Sequence, residues 1–495
     1  MKRGAEAGKI HPEMGLRIYN TYIRRKKEFR PLEEGRVKMY VCGITAYDLC
    51  HVGHARAILV FDMIYRYLRH LGYRVDYVRN FTDVDDKIIR RANELGIPPG
   101  EVAERYIEEF YRDMDPLGID RPTYEPRATH HVSEIISAIR TLIDKGYAYQ
   151  VGGDVYYSVS KWPEYGRLSG KSQETLEAGA RVDIDERKAD PLDFALWKKS
   201  KPGEPSWGSP WGEGRPGWHI ECSAMSQKYL GPSLDIHGGG QDLIFPHHEN
   251  EIAQSEAITG KKFVQFWVHN GFVQLGREKM SKSTGIFYAV RDLYKKYHPE
   301  VLRLFLLSHH YRGPIEFSLE QLEESKKNID YFYIFLARLG ERLAVEDAIV
   351  SSRAEEEAGP KIDALATQFK EAMDDDFNTA LALAHFYEFA RGFNRFLDKT
   401  ASYPPGAMAP IIRRVREEFL RLGGVLGLFQ MSPELWFTLP LKGVDKGWIE
   451  ARIRERDEAR KRKDWKRADA IRNELKGMGV ILEDTPTGTK WRGAI

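Results

Sequence analysis

Residues 37–54 read Val37-Lys38-Met39-Tyr40-Val41-Cys42-Gly43-Ile44-Thr45-Ala46-Tyr47-Asp48-Leu49-Cys50-His51-Val52-Gly53-His54, and the first of them decide the kind of fold. Val37, Met39 and Val41 alternate with Lys38 and Tyr40, the period of a strand, and the strand ends near Cys42-Gly43. After a short loop, Phe61, Ile64, Leu68 and Leu71 recur at helical spacing, and Gly72 supplies the stop. A second strand follows at Arg74–Arg79, and Ile88, Ala92 and Leu95 mark a second helix ending at Gly96. Strand, helix, strand, helix is the order of a parallel α/β sheet, which binds ligands at the C-terminal ends of its strands.

Outward from this unit the pattern changes. Tyr147–Tyr157 reads as a hairpin turning at Gly152-Gly153. Trp197 to Trp218 is crowded with Gly, Pro and Trp, so a structured loop is expected there rather than helix or strand. An insertion over 120–216 therefore splits the α/β domain, which resumes near Trp218 and runs to Phe287. Farther on, Leu383, Phe386, Ala390, Phe393 and Leu397 form the stripe of a bundle helix. Glu346–Pro360 is charged and weakly apolar and reads as a linker or exposed bend.

At 495 residues the chain exceeds one compact domain, and three or four are expected. Its net charge of +2 leaves any nucleic-acid partner to local basic patches. Lys446–Lys476 is such a patch, with 12 Lys/Arg against 7 Asp/Glu. The three cysteines, Cys42, Cys50 and Cys222, are too few for a disulfide framework and fit a reducing compartment, where cysteine binds metal or does chemistry. The start of the chain lacks the apolar core of a signal peptide, and no apolar run approaches the ~20 residues of a membrane span. A cytoplasmic protein without membrane contact is expected.

Three constellations bear on chemistry. His51-Val52-Gly53-His54 sits between the first strand and its helix, where backbone N–H groups and the helix dipole favour phosphate, and Gly53 lets a flat ligand approach the backbone. Lys279-Met280-Ser281-Lys282-Ser283 places two lysines in a short polar loop suited to a triphosphate. Cys42, Cys222, His247 and Glu251 are residue types that zinc accepts in tetrahedral sets, and Pro246 as a first helical residue sets His247 and Glu251 one turn apart. Buried structural cysteines and a capping histidine remain the competing reading of that spacing.

The histidine and lysine segments together resemble the two signatures of class I aminoacyl-tRNA synthetases. Met39–Thr45, Arg79-Asn80-Phe81-Thr82-Asp83-Val84-Asp85-Asp86-Lys87, Gly217-Trp218-His219-Ile220-Glu221-Cys222-Ser223-Ala224-Met225, Asp235-Ile236-His237-Gly238-Gly239-Gly240 and Phe245-Pro246-His247-His248-Glu249-Asn250-Glu251 resemble the cysteinyl-tRNA synthetase family in matching order. The resemblance implies a Rossmann-like parallel-sheet catalytic domain in two parts, 16–119 and 217–287, around a connective insertion at 120–216. A stem-contact region at 288–345, a helical bundle at 346–430 and a small anticodon-binding domain at 431–495 would follow.

The implied reaction joins cysteine to the terminal adenosine of its tRNA through an adenylate formed from ATP. His51, His54, Lys279 and Lys282 would carry it, with magnesium on the phosphates. Gly53, Gly239, Asp242 and Lys282 would bind ATP, and Thr82 and Trp218 would meet substrate cysteine, although core packing is an equal reading for Trp218. One zinc ion per chain would be held by Cys42, Cys222, His247 and Glu251, with Cys50 and His248 outside the ligand set. Arg460, Trp465 and Asp484 fall on the anticodon positions, and a monomer is expected. A ligase acting on a small amine would lack the basic C-terminal run, and a catalytically dead RNA-binding relative would have lost the signatures.

Overall fold

The computed structural model describes residues 15–171, 187–275, 278–279, 288–343, 352–403, 405–438, 445–485 and 488–493. The first described element is a hairpin, β1 (Arg17–Asn20) and β2 (Arg25–Glu28), and the chain enters the sheet through β3 (Arg36–Val41). Helix α1 (Val52–His70) buries Leu59, Phe61, Ile64 and Leu68, and Gly72 takes φ +90°, where a side chain would be strained. β4 (Arg74–Arg79), α2 (Asp86–Leu95) and α3 (Pro99–Met114) complete the first half, with Gly96 in the left-handed conformation behind α2.

Next come α4 (Val132–Asp144) and four antiparallel strands, β5 (Ala148–Val151), β6 (Asp154–Tyr157), β7 (Phe194–Lys199) and β8 (Gly214–Pro216), in that spatial order. The hairpin at Gly152-Gly153 is as expected. The 197–218 stretch is not all loop, because β7 and β8 pair across it, from Trp197↔Pro216 to Lys199↔Gly214, and Trp218 opens a helix. The physical reason is close packing: a Cβ on Gly214 would stand 2.2 Å from Trp197 Nε1, so this glycine serves a strand contact rather than a turn.

Helix α5 (Trp218–Leu230) returns the chain to β9 (Leu234–Gly240), followed by α6 (Glu249–Thr259) and β10 (Val264–Asn270). The parallel sheet runs β10-β9-β3-β4, with Met39↔Ile236 and Val41↔Gly238 joining β3 to β9 and Val37↔Val75 joining β3 to β4. Chain order reverses at β3, so its C-terminal end and that of β9 flank the crevice where such sheets bind ligands. A small sheet of β11 (Val273–Leu275), β12 (Glu278–Lys279) and β13 (Ile315–Glu316) follows, with α7 (Val290–Tyr294) and α8 (Pro299–Leu307) between its last two strands.

The rest is helical up to a final hairpin: α9 (Leu319–Leu343), α10 (Ser352–Asp374), α11 (Thr379–Lys399), α12 (Pro405–Val425), α13 (Pro433–Thr438), α14 (Lys446–Lys461), α15 (Trp465–Gly477), β14 (Val480–Thr485) and β15 (Gly488–Gly493). The expected stripe Leu383, Phe386, Ala390, Phe393, Leu397 is buried along α11. The expected bend over Glu346–Pro360 is corrected from Ser352 on, since α10 begins there and runs through Pro360; residues 344–351 lie outside the described set. Ala354, Ala358, Ile362 and Leu365 are buried at three- and four-residue steps, an apolar face that the charged neighbours mask in composition.

Contacts divide the chain into Met1–Ser325 with Leu365–Phe386 and Val425–Gly427, and Lys326–Ala364 with Tyr387–Gly424 and Leu428–Ile495. In the second, α14, α15 and the last hairpin share a core of Ile449, Ile453, Ile471, Leu475 and Val480.

Candidate active site

The start of α1 is capped by its own signature. His51 Nδ1 accepts the His54 N–H at 3.3 Å, and His54 Nδ1 accepts the His51 N–H at 3.2 Å, with the rings stacked 3.8 Å apart. This is a reciprocal capping box in which imidazoles replace the usual hydroxyl and carboxylate. Because each Nδ1 accepts, a neutral ring carries its proton on Nε2, so both rings are donors suited to phosphate oxygens. A Cβ on Gly53 would meet the His51 ring at 2.8 Å, which gives this glycine a local reason beside the expected approach of a ligand. The backbone of Lys279 pairs with Gln274, whereas Lys282 and the rest of 280–287 lie outside the described residues. The chain re-emerges beside the histidines: Val52 N–H donates to Tyr288 O at 3.2 Å and Val290 N–H donates to Cys50 O at 3.1 Å.

At the C-terminal ends of β3 and β9 four donor atoms converge. Cys42 Sγ, Cys222 Sγ, one ring nitrogen of His247 and one oxygen of Glu251 all lie within 4.8 Å of one another. Cys42 leaves β3, Cys222 is on the first turns of α5, and Glu251 is on the first turn of α6. Pro246 is not the first residue of that helix: Ile244–His248 is a wider turn before α6 begins at Glu249. His247 Nε2 still comes 3.0 Å from Glu251 Oε1, without the approach angle of a hydrogen bond. A second overlapping group joins Cys42 and Glu251 to His237 and His248, which brings His248 to the cluster, while Cys50 is buried elsewhere and donates its N–H to Asp113.

The neighbours orient these donors. His219 Nδ1 lies 2.9 Å from His247 Nδ1, so a proton on one of them turns His247 Nε2 toward the thiols. His237 Nε2 binds Glu251 Oε2 at 2.8 Å, which leaves Oε1 facing Cys42 at 3.3 Å. Burial pushes the Cys42 thiol up, while the thiol–thiol hydrogen bond pulls Cys222 down to about 6. Burial would also raise the Glu251 carboxyl, but the His237 and His247 imidazoles hold it well below the usual carboxylate range. Taking a carboxylate out of water costs several kcal/mol on the order seen for buried ions. Two sulfurs, one carboxylate oxygen and an imidazole nitrogen without a hydrogen bond are residue types and atoms that fit a zinc ion.

Thr82 is buried and donates its hydroxyl to Glu221 Oε2 at 3.1 Å, while Asn80 Oδ1 accepts the Gly43 N–H at 3.0 Å. Trp218 is 37% exposed and its ring stacks on His247 at 4.3 Å, so it covers that imidazole rather than filling the core. A Cβ on Gly239 would meet Leu243 at 2.8 Å and His248 at 3.0 Å, and Asp242 is exposed on the turn that follows. His219, His237, Glu221 and Asn80 were not singled out from sequence. His219 directly follows Trp218 and His237 stands two residues before Gly239, both positions that were, and only the fold shows which ring touches which donor.

At the far end of the chain, Arg460 pairs with Asp484 at 2.7 Å, and Arg456 holds both oxygens of Asp484 at 2.8 Å. Trp465 is the first residue of α15 and is 58% exposed.

A family model described as the class I (C) tRNA synthetase catalytic domain matches residues 28–327. A DALR domain matches 368–430, and a cysteinyl-tRNA ligase anticodon binding domain matches 449–492. In fold the chain is similar to methionyl-tRNA synthetase of Mycobacterium tuberculosis in complex with methionyl-adenylate, with a TM-score of 0.60 at 16% identity over 83% of this chain and 94% of that one. The sheet, the split domain and the helical C-terminal half are thus those of a class I aminoacyl-tRNA synthetase. The chain is 53% identical to the cysteine–tRNA ligase of Geotalea daltonii, over 97% of this chain and 99% of the relative. It is 52% identical to that of Geobacter sulfurreducens, over 97% and 100%. The chain belongs to the cysteine–tRNA ligase family.

Proposed function

We propose that this ligase attaches cysteine to its tRNA in two steps, with the amino acid seated at the Cys42–Cys222–His247–Glu251 cluster. The observation that carries the reading is the convergence of these four donors at the strand ends where the sheet reverses its order, on the strand that leads into the His51–His54 helix start. A zinc ion, one per chain, would supply a soft Lewis acid for the substrate thiolate and so separate cysteine from serine, whose hydroxyl coordinates poorly. That contact distinguishes more sharply than a pocket of the right volume, and it removes the need for an editing domain.

The residues divide the remaining work. Trp218, stacked on His247, would wall the amino-acid side, and Thr82, three residues past β4, would meet the substrate cysteine. The substrate carboxylate attacks the α-phosphate of ATP in line and pyrophosphate leaves. His51 and His54 donate from Nε2 to the phosphates, Gly53 and Gly239 leave room for the nucleotide, and Asp242 accepts ribose hydroxyls. Lys279 and Lys282, with magnesium, neutralise the charge that gathers on the transferring group, and most of the acceleration comes from this preorganised charge and from positioning. The ribose hydroxyl of the terminal adenosine of tRNA then takes the cysteinyl group. The protein acts in the cytoplasm as a monomer, and Arg460, Trp465 and Asp484 meet the anticodon loop. Among the described residues no helix is long and apolar enough to cross a membrane.

Cysteine-dependent ATP–pyrophosphate exchange tests this directly. It is expected without tRNA, with serine inactive in its place, and it should stop when a chelator strips the protein. Exchange that persists in the metal-free protein sinks the zinc assignment, and exchange with serine sinks the discrimination argument.

A further inference from the structure

Arg56 lies two residues beyond His54 in α1 and is 1% exposed, yet among the described residues no carboxylate pairs with it. Burial lowers its pKa to about 10, still charged at neutral pH. Instead its guanidinium spreads over backbone carbonyls. Nη1 donates to Phe272 O at 2.7 Å, and Nη2 donates to Tyr311 O at 3.1 Å and to Gly313 O. Phe272 stands directly before β11, and Gly313 two residues before β13. The two backbones are so close there that a Cβ on Gly271 would meet Gly313 O at 2.4 Å. Phe272 O also accepts the Ile315 N–H at 2.9 Å, so a single carbonyl serves both the sheet and Arg56. β11 in turn pairs with β12, which ends on Lys279. A buried cation without an anion is costly, and an apolar side chain of equal volume would be the cheaper filler. Its presence there calls for another reason.

We infer that Arg56 is a positioning residue for adenylate formation: its fork fixes the starts of β11 and β13 against the helix whose N-terminus presents His51 and His54. The inference rests on the reading of that helix start as the phosphate site. The planar five-donor fork matters, because carbonyls from two segments must be held at once and in one plane. A lysine keeps the charge but is a point donor that reaches fewer of them. Misplacement by about 1 Å at a distance from the chemistry can cost about a hundredfold in rate. The proposed metal donors follow β3, lie on α5, and come from the turn before α6 and its first turn, so cysteine binding does not depend on this clamp.

The test compares zinc-loaded Arg56→Lys and Arg56→Gln with the unaltered enzyme in cysteine-dependent pyrophosphate exchange and in the single-turnover burst of adenylate. Burst amplitude counts competent sites, so loss of folded protein is separated from loss of rate. The expected result is a rate per competent site about 10-fold lower for Lys and about 100-fold lower for Gln, with the KM for cysteine within about twofold of the parent. Rates per competent site that match the parent in both variants overturn the inference and leave Arg56 as structural filling. A rise in the KM for cysteine equal to the loss in rate also overturns it. An inactive parent enzyme would instead strike the function proposed above.

Discussion

Glu251 and Asp484 are both carboxylates held by neighbouring nitrogens, and they stand at opposite limits of what a charged site can be. Glu251 is fully buried; one oxygen is bound to His237, while the other faces two sulfurs and an imidazole nitrogen that makes no hydrogen bond. Asp484 is exposed and complete, with Arg456 on both oxygens and Arg460 beside it. The first set gathers two sulfurs, a carboxylate oxygen and an imidazole nitrogen in one place, a donor set that suits a cation. The second needs nothing, and a ligand there must displace a partner that is already satisfied. Function by completion fails entirely when one donor is lost, whereas function by exchange fails by degrees.

The comparison is broken most easily at Cys222. Cys222→Ser keeps the volume but replaces a soft donor by a hydroxyl, and the metal content measured by atomic emission should fall from one per chain to near zero. Cysteine activation should fall by more than the about 10–100-fold that loss of an orienting neighbour costs. A serine variant that keeps both metal and activity would show the cluster to be structural. Lys282 sets the next scale. Lys282→Ala should slow adenylate formation by about 10²–10³-fold, the usual cost of losing one preorganised charge at the reacting group, while the KM for cysteine holds. Equal losses in both would assign the lysine to ground-state binding.

How much of this was legible without coordinates depends on whether a feature is local. The β3–α1–β4 unit was readable because alternation, helical spacing and the glycines at 72 and 96 all lie within one stretch of chain. The four donors were proposed from residue type and family likeness, and the fold brings them within 4.8 Å. β7 and β8 were missed because Gly214 and Pro216 are turn residues in most settings, and only the Trp197 ring explains the glycine. The start of α10 was missed because Glu355, Glu356, Glu357 and Pro360 dominate its composition while the residues buried there, Ala354, Ala358 and Gly359, are small. His219 and His237 were unreadable for a different reason. A ring that orients a ligand has no spacing rule, since its partner is fixed by the packing of α5 and β9 against α6.

Those orienting rings give the third prediction. His219 is the only neighbour among the described residues that holds His247 Nδ1, at 2.9 Å, so its loss frees the ring to rotate. His219→Leu should weaken zinc about 10–100-fold in competition with a chelator, and His219→Gln, which retains a side-chain acceptor, should recover part of it. Equal affinities in Leu, Gln and the parent would mean that Trp218 stacking alone fixes His247.

The exposed end should respond more gently, and unequally. Trp465 projects from the start of α15 with 58% of its surface open, so a base can stack on it without displacing anything. Trp465→Ala should cost about 1–3 kcal/mol of tRNA affinity and leave pyrophosphate exchange unchanged. Arg460 must first give up Asp484, although Arg456 would remain on that carboxylate. Exposed ion pairs contribute about 0–1 kcal/mol, so the exchange of Asp484 for an RNA phosphate or base is nearly balanced. Arg460→Ala should therefore weaken tRNA binding by less than Trp465→Ala at moderate salt, with the gap widening as salt rises, because only the arginine contact is screened. Binding titrations at two salt concentrations measure both effects. If Arg460→Ala costs more than Trp465→Ala at high salt, the arginine is making a shielded, specific contact, and the exposed end too works by completion.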